Sequence, residues 1–106
     1  MRLPILFEPE AVEELEAAAL FYEERSVGLG SAFLAAVDGA IERLHKTGVS
    51  VHAAPPGISP ETGIRRILLH RFPFSIVFVE LDEEIRVLAV AHASRRPGYW
   101  KKREPG

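Results

Sequence analysis

Two tight turns constrain this chain more than any other feature. Phe72-Pro73 separates an apolar run at Ile64 to His70 from a second at Phe74 to Leu81. Asp82-Glu83 then separates that run from a third, Glu84 to His92. Connections this short join antiparallel neighbours, so the three runs are expected to be consecutive strands of one sheet. Phe74 to Val79 is nearly all apolar, which predicts a central strand covered on both faces.

Upstream the hydrophobic period changes from two to about 3.6. Pro9 suits the first turn of a helix. Ala11, Val12, Leu15, Ala18, Ala19 and Tyr22 follow at helical spacing, with Glu13, Glu14, Glu16 and Glu23 largely on the opposite side. Gly28 and Gly30 interrupt the pattern. A second helix is expected from about Ser31 to Lys46, turning Phe33, Leu34, Val37, Ala40, Ile41 and Leu44 inward, with Gly48 as its stop. So short a connection favours an antiparallel αα-hairpin. Leu3 to Phe7 reads as a short strand whose Pro4 belongs at its start or on an edge. Between Gly48 and Gly63, Pro55, Pro56, Gly57 and Pro60 mark a loop, with Val49 to His52 a candidate strand start. The order β-α-α-β-β-β predicts one α+β domain spanning residues 1–106, its N-terminal strand and helical hairpin packed on one face of an antiparallel sheet.

At 106 residues the chain can bury roughly two thirds of its unfolded surface. It has no Cys, which excludes disulfides and thiolate metal sites and suits a reducing cytoplasm. The apolar start is cut by Pro4 and ends at Glu8, too short for a signal sequence, and no run approaches the roughly 20 apolar residues of a membrane span. A soluble, cytoplasmic protein is expected. The net charge of −2 conceals an asymmetry: up to Thr62 ten acids face four bases, and from Gly63 onward nine bases face five acids. An anionic partner would meet the second half, unless both halves are simply solvated faces.

The chemistry-bearing residues concentrate in that basic half. Alternation places Arg65, Ile67, Leu69 and Arg71 on one face of their strand and Arg66, Leu68 and His70 on the other. On the last strand it places Arg86, Leu88, Val90 and His92 together. Guanidinium groups in such a row suit phosphate or carboxylate, although Arg65 and Arg71 also suit charges that guard a sheet edge. His92 is either a general acid or base or a packed strand-end residue. His45, His52 and His70 show no ligand spacing with it, so no metal is expected. Ser94 is a candidate cap for a short terminal helix. Arg95, Arg96, Pro97, Gly98, Tyr99 and Trp100 then set a Tyr and the only Trp among positive charges. Trp100 is equally readable as a core cap and as a recognition residue; Tyr99 leans towards recognition.

Taken together, Ala19 to Arg25, Gly28-Leu29-Gly30, Phe33, Arg65-Arg66, Arg71 to Phe74, Val87 to His92 and Arg95 to Trp100 resemble the RelE/ParE superfamily of toxins from toxin–antitoxin pairs, most closely its ParE-like, plasmid-stabilisation branch. That resemblance implies a toxin that inhibits DNA gyrase by direct binding, with Arg65, Arg66, Arg95, Arg96, Tyr99 and Trp100 as target contacts. It implies no cofactor. It also implies a cognate antitoxin in a hetero-oligomer, docking near Leu15, Ala19 and Tyr22. The RelE-like alternative implies a metal-independent, ribosome-dependent endoribonuclease acting on mRNA, with Arg66 and Arg71 on the phosphate and His92 or Tyr99 moving protons. The loop from Gly48 to Gly63 has no Lys or Arg, and the pI is near 6.1, so gyrase binding fits this sequence better than entry into a polyanionic ribosome. An inactive relative that retains only antitoxin binding is a third expectation.

Overall fold

The chain runs β1 (Ile5–Phe7), α1 (Pro9–Arg25), α2 (Leu29–Thr47), β2 (Arg65–Leu68), β3 (Phe74–Glu80) and β4 (Ile85–His92). Short 3-10 turns lie at Pro60–Thr62 and Lys101–Arg103. A computed structural model describes residues 2–103; Met1 and residues 104–106 lie outside the described residues. The expected α+β order holds. The four strands form one sheet in the order β1-β4-β3-β2.

β2, β3 and β4 pair antiparallel, as the two tight turns require. β1 instead pairs parallel to β4, with Ile5 opposite Ile85 and Phe7 opposite Val87, so the sheet is mixed rather than wholly antiparallel. Parallel neighbours need a long crossover, and here the helical hairpin with β2 and β3 supplies it. Residues Ser75 to Val79 of β3 are all buried, in keeping with a central strand covered on both faces.

Pro9 occupies the first turn of α1, where its missing N–H costs nothing. α2 begins at Leu29, two residues before Ser31, because Glu23 caps it. That carboxylate accepts from the backbone N–H of Gly28 and of Gly30, at 3.0–3.1 Å. Gly30 also lets the helices meet closely: a Cβ there would lie 2.6 Å from the Ala19 carbonyl oxygen. Val49 to His52 forms a turn, not a strand start.

One side of the sheet packs on the helices. Phe33, Val37, Ala40 and Leu44 of α2 are buried there against Ile67, Ile76, Phe78, Val87 and Val90. Leu34, expected inward, is 41% exposed. Rings of Tyr22, Phe33, Phe72 and Phe74 meet with centroids 4.9–6.2 Å apart, mostly edge to face. The far side carries a second, smaller cluster of Ile64, Val77, Val79, Leu88, Ala89 and Trp100.

A β-bulge corrects the face expected for β4. Val77 pairs with Ala89 but Phe78 pairs with Val87, which leaves Leu88 as an extra residue. Alternation therefore slips by one. Leu88 packs in the far-side cluster, whereas Val90 packs in the helix-side core and the His92 ring meets Phe74 at 5.0 Å. Arg86, Leu88, Val90 and His92 do not share one face. Arg86 is instead held by Glu84 at 2.6 Å and Glu8 at 3.1 Å, whose hydrogen bonds and charges raise its pKa against a smaller opposing effect of burial.

Candidate functional site: a cationic cavity on the far face

On the far face, Arg66 of β2 stands opposite Val77, and Ser75 of β3 stands between Leu68 and Ala91. Serine and alanine in adjacent rows leave a hollow that larger side chains would fill. The turn after β4 folds back over it, carrying Arg95, Arg96, Tyr99 and Trp100, while Pro55 and Pro56 wall it from the loop. The resulting cavity has a volume of about 100 Å³, with His92 also in its lining.

Thus Arg66, Arg95, Arg96, Tyr99 and Trp100 of the expected target contacts gather round one cavity. Arg65 does not. It lies on the opposite face of β2, and its guanidinium donates to the Pro60 and Ile64 carbonyls at 3.1 and 2.9 Å. Trp100 is 2% exposed and seals the far-side cluster, so its ring is a core cap in this conformation.

Of the residues expected to act together on a scissile phosphate, Arg66, His92 and Tyr99 line the cavity and Arg71 does not. Arg71 sits at φ +73° in the bend before β3, its guanidinium 5.5 Å from the Phe72 ring on the helix side. The left-handed conformation is costly for a non-glycine residue, so the bend fixes Arg71 by geometry that its own side chain does not favour. His92 accepts at Nδ1 from the Ser94 N–H at 2.9 Å, with the Ser94 Oγ at 2.8 Å. A backbone N–H can only donate, so neutral His92 carries its proton on Nε2. Ser94 therefore fixes this histidine rather than capping a helix.

Tyr99 is tied down by a residue the sequence did not single out. Its hydroxyl donates to Glu14 at 2.6 Å, and Glu14 also accepts from Arg103 at 2.8 Å and from the Val90 N–H at 3.0 Å. Burial, then the hydrogen bond and charge of Glu14, push the Tyr99 pKa well above its ordinary value. For Arg103, burial pulls the pKa down, but the hydrogen bond and charge of Glu14 outweigh it. Arg95 lies over the Tyr99 ring with its guanidinium carbon 3.8 Å from the centroid. Glu14 looked like one more acid on a solvated face. The signal was its position, three residues after Ala11 and four before Ala18, both buried.

The residues expected to meet an antitoxin are less open than foreseen. Tyr22 joins the aromatic cluster, Ala19 backs onto Gly30, and Leu15 lines a groove between β1 and α2. Among the described residues no cluster of His, Cys, Asp or Glu could hold a metal ion, and no helix is long and apolar enough to cross a membrane.

Comparison with known proteins supplies the context for this geometry. No match was found among curated proteins. A solved structure from a chromosomal ParDE TA system of P. aeruginosa is similar in fold, with a TM-score of 0.62 at 23% identity, covering 88% of this chain and 98% of that one. The family model for the ParE toxin of the type II toxin–antitoxin system parDE matches residues 5–97, taking in both helices, the whole sheet and the turn that carries Arg95 and Arg96. This chain belongs to the ParE toxin family of type II toxin–antitoxin systems.

Proposed function

We propose that this protein is a cytoplasmic toxin that binds DNA gyrase through the far-face cationic surface and is neutralised by a cognate antitoxin. The observation that carries the reading is the family match over residues 5–97. The site geometry favours direct binding over RNA cleavage. Tyr99 has its hydroxyl committed to a carboxylate and its pKa raised, so it is a poor proton acceptor at neutral pH. Arg71, the second expected phosphate ligand, is turned to the other side of the sheet.

For the antitoxin, support comes from the groove of about 570 Å³ between β1 and α2, lined by Leu3, Ile5, Phe7, Leu15, Leu34 and Ile41. Leu34 leaves apolar surface open beside it, which suits an amphipathic helix laid in a groove. Leu15 is then the antitoxin contact retained from the three expected.

The test is a pair of assays on purified protein. With gyrase and supercoiled plasmid, stabilised cleavage complexes or lost supercoiling is the expected result, abolished by a double Arg95→Glu, Arg96→Glu variant. With translating ribosomes, the messenger is expected to stay intact. Cut messenger with unaffected gyrase would replace this reading with the nuclease.

A further inference from the structure

We propose that a groove on the side of α1 away from α2 docks an acidic peptide segment of a partner protein, anchored by one apolar side chain. The inference stands whichever macromolecule the toxin attacks. The groove shares no lining residue with the one between β1 and α2. Its first support is an apolar stripe that the core does not use. Ala19 and Glu23 meet α2 at Gly30, and Ala17, two residues before Ala19, lies on the other side of the helix. Ala17, Leu20 and Phe21 stand at i, i+3 and i+4, so they share a face, and Leu20 is 61% and Phe21 49% exposed. Beside them opens a groove of about 240 Å³, lined by Ala17 and Ala18 of α1, Phe74 and Val90 of the strands, and Arg95 and Tyr99 of the turn after β4. That is below the roughly 300–1,000 Å³ of small-molecule sites and suits a single side chain.

The second support is charge at both ends of this stripe. Arg25 lies over the Phe21 ring at 4.4 Å and Arg95 over the Tyr99 ring at 3.8 Å. Among the described residues neither arginine takes part in an ion pair. A guanidinium stacked on a ring keeps its in-plane N–H donors free for a carboxylate. The carboxylate in the lining, Glu14, is already committed: Oε1 accepts from Arg103 and the Val90 N–H, and Oε2 from Tyr99. Tyr99 thus places Arg95 near Glu14, and from Glu14 to Arg25 the helix rises roughly 16 Å. An extended segment of about five residues spans that length, with an acid at each end and the anchor between them.

The remaining acids of α1 select protein over nucleic acid. Glu13 and Glu24 are exposed beside Leu20, and among the described residues neither is paired. A nucleic-acid backbone carries a phosphate at every step and would be repelled there. A peptide can confine its carboxylates to the two arginine ends and lay apolar atoms along the stripe.

The experiment is an amide NMR titration of the full chain at constant ionic strength. The probes are capped peptides with a phenylalanine anchor and an aspartate on each side at graded spacings, the matching peptides with asparagine for aspartate, and oligothymidylate. Saturable shifts at Ala17, Phe21, Arg25 and Val90 are expected with the acidic peptides, strongest where the aspartates lie about five residues apart. The asparagine peptides are expected to bind roughly tenfold more weakly. Ala17→Glu keeps a good helix former but sets a carboxylate in the groove, and is expected to weaken binding about tenfold or more. Arg25→Gln and Arg95→Gln are each expected to weaken it about threefold, and they carry the test should Ala17→Glu fail to fold. Leu34→Glu, in the other groove, is expected to change it by less than about twofold. Shifts that never saturate, asparagine peptides that bind as well as the acidic ones, or arginine variants that bind like the parent would overturn the proposal. Oligothymidylate that saturates the same amides would overturn it too, and would give the surface to nucleic acid.

Discussion

The two faces of the sheet are built by different means. The helix side is closed by two long helices that bring Phe33, Val37 and Leu44 onto Ile67, Ile76 and Val90. Among the described residues no α-helix covers the far side. Its cover is the proline loop and the turn ending in Trp100, held from across the molecule by Glu14 on α1. Local spacing secures the first layer. The second depends on side chains far apart in sequence, and the cationic cavity lies in this second layer. Loops positioned by a rigid scaffold are where binding sites concentrate, because they can carry unusual side chains without breaking the core.

This contrast predicts unequal responses to truncation. Phe33→Ala removes a fully buried ring that touches Tyr22, Phe72 and Phe74, and is expected to cost about 4 kcal/mol. Urea unfolding followed by far-UV circular dichroism would measure it. Trp100→Ala opens the far side instead. There the cover can partly collapse, so about 3 kcal/mol is expected. Amide exchange separates the two cases. Phe33→Ala is expected to speed exchange in the sheet as a whole, Trp100→Ala mainly near Val77, Leu88 and Ala89. Equal, global effects would show that the two layers unfold as one.

Glu14 is the sharper probe of the long-range tie. Glu14→Gln keeps the shape but loses the charge that Tyr99 and Arg103 share, leaving Arg103 in a half-buried place without its carboxylate. About 2 kcal/mol is expected by thermal or urea unfolding. Since the hydrogen bond and charge of Glu14 help raise the Tyr99 pKa, the variant's tyrosinate absorbance is expected to appear at lower pH than in the parent. An unchanged titration would mean that burial alone holds the phenol protonated.

How much of this was legible follows the same division. The α1 and α2 stripes, the Gly48 stop and the antiparallel β2-β3-β4 meander were readable because each rests on contacts a few residues apart. The parallel pairing of β1 with β4 was not, since no local pattern says which edge a three-residue strand will join. The Leu88 bulge was invisible too: Val87 to Ala91 is apolar throughout, so alternation gives no hint of where it slips. At the site, the arginines were legible as a basic row. Alternation already set Arg65 and Arg71 on one face of β2 and Arg66 on the other; which face carries the cavity was not legible, because its walls come from the proline loop and the turn after β4.

The smallest expected effect sets the two faces against each other in pH. On the helix side, His52 packs edge-on against Phe78 and bonds Thr47, and burial, then the charge of Arg43, lower its pKa below 6.5. The unfolded chain therefore takes up this proton first, so stability falls as pH drops below 6.5 and through the folded value. On the far side the sign reverses. Tyr99 has a raised pKa, so its contribution is full below about 10, the ordinary tyrosine value, and is lost as pH rises beyond it. Melting temperatures taken across both arms would separate the two sites. His52→Gln is expected to flatten the acid arm alone and Tyr99→Phe the alkaline arm alone. An acid arm that survives His52→Gln would move the titrating group elsewhere and remove His52 from the helix-side account.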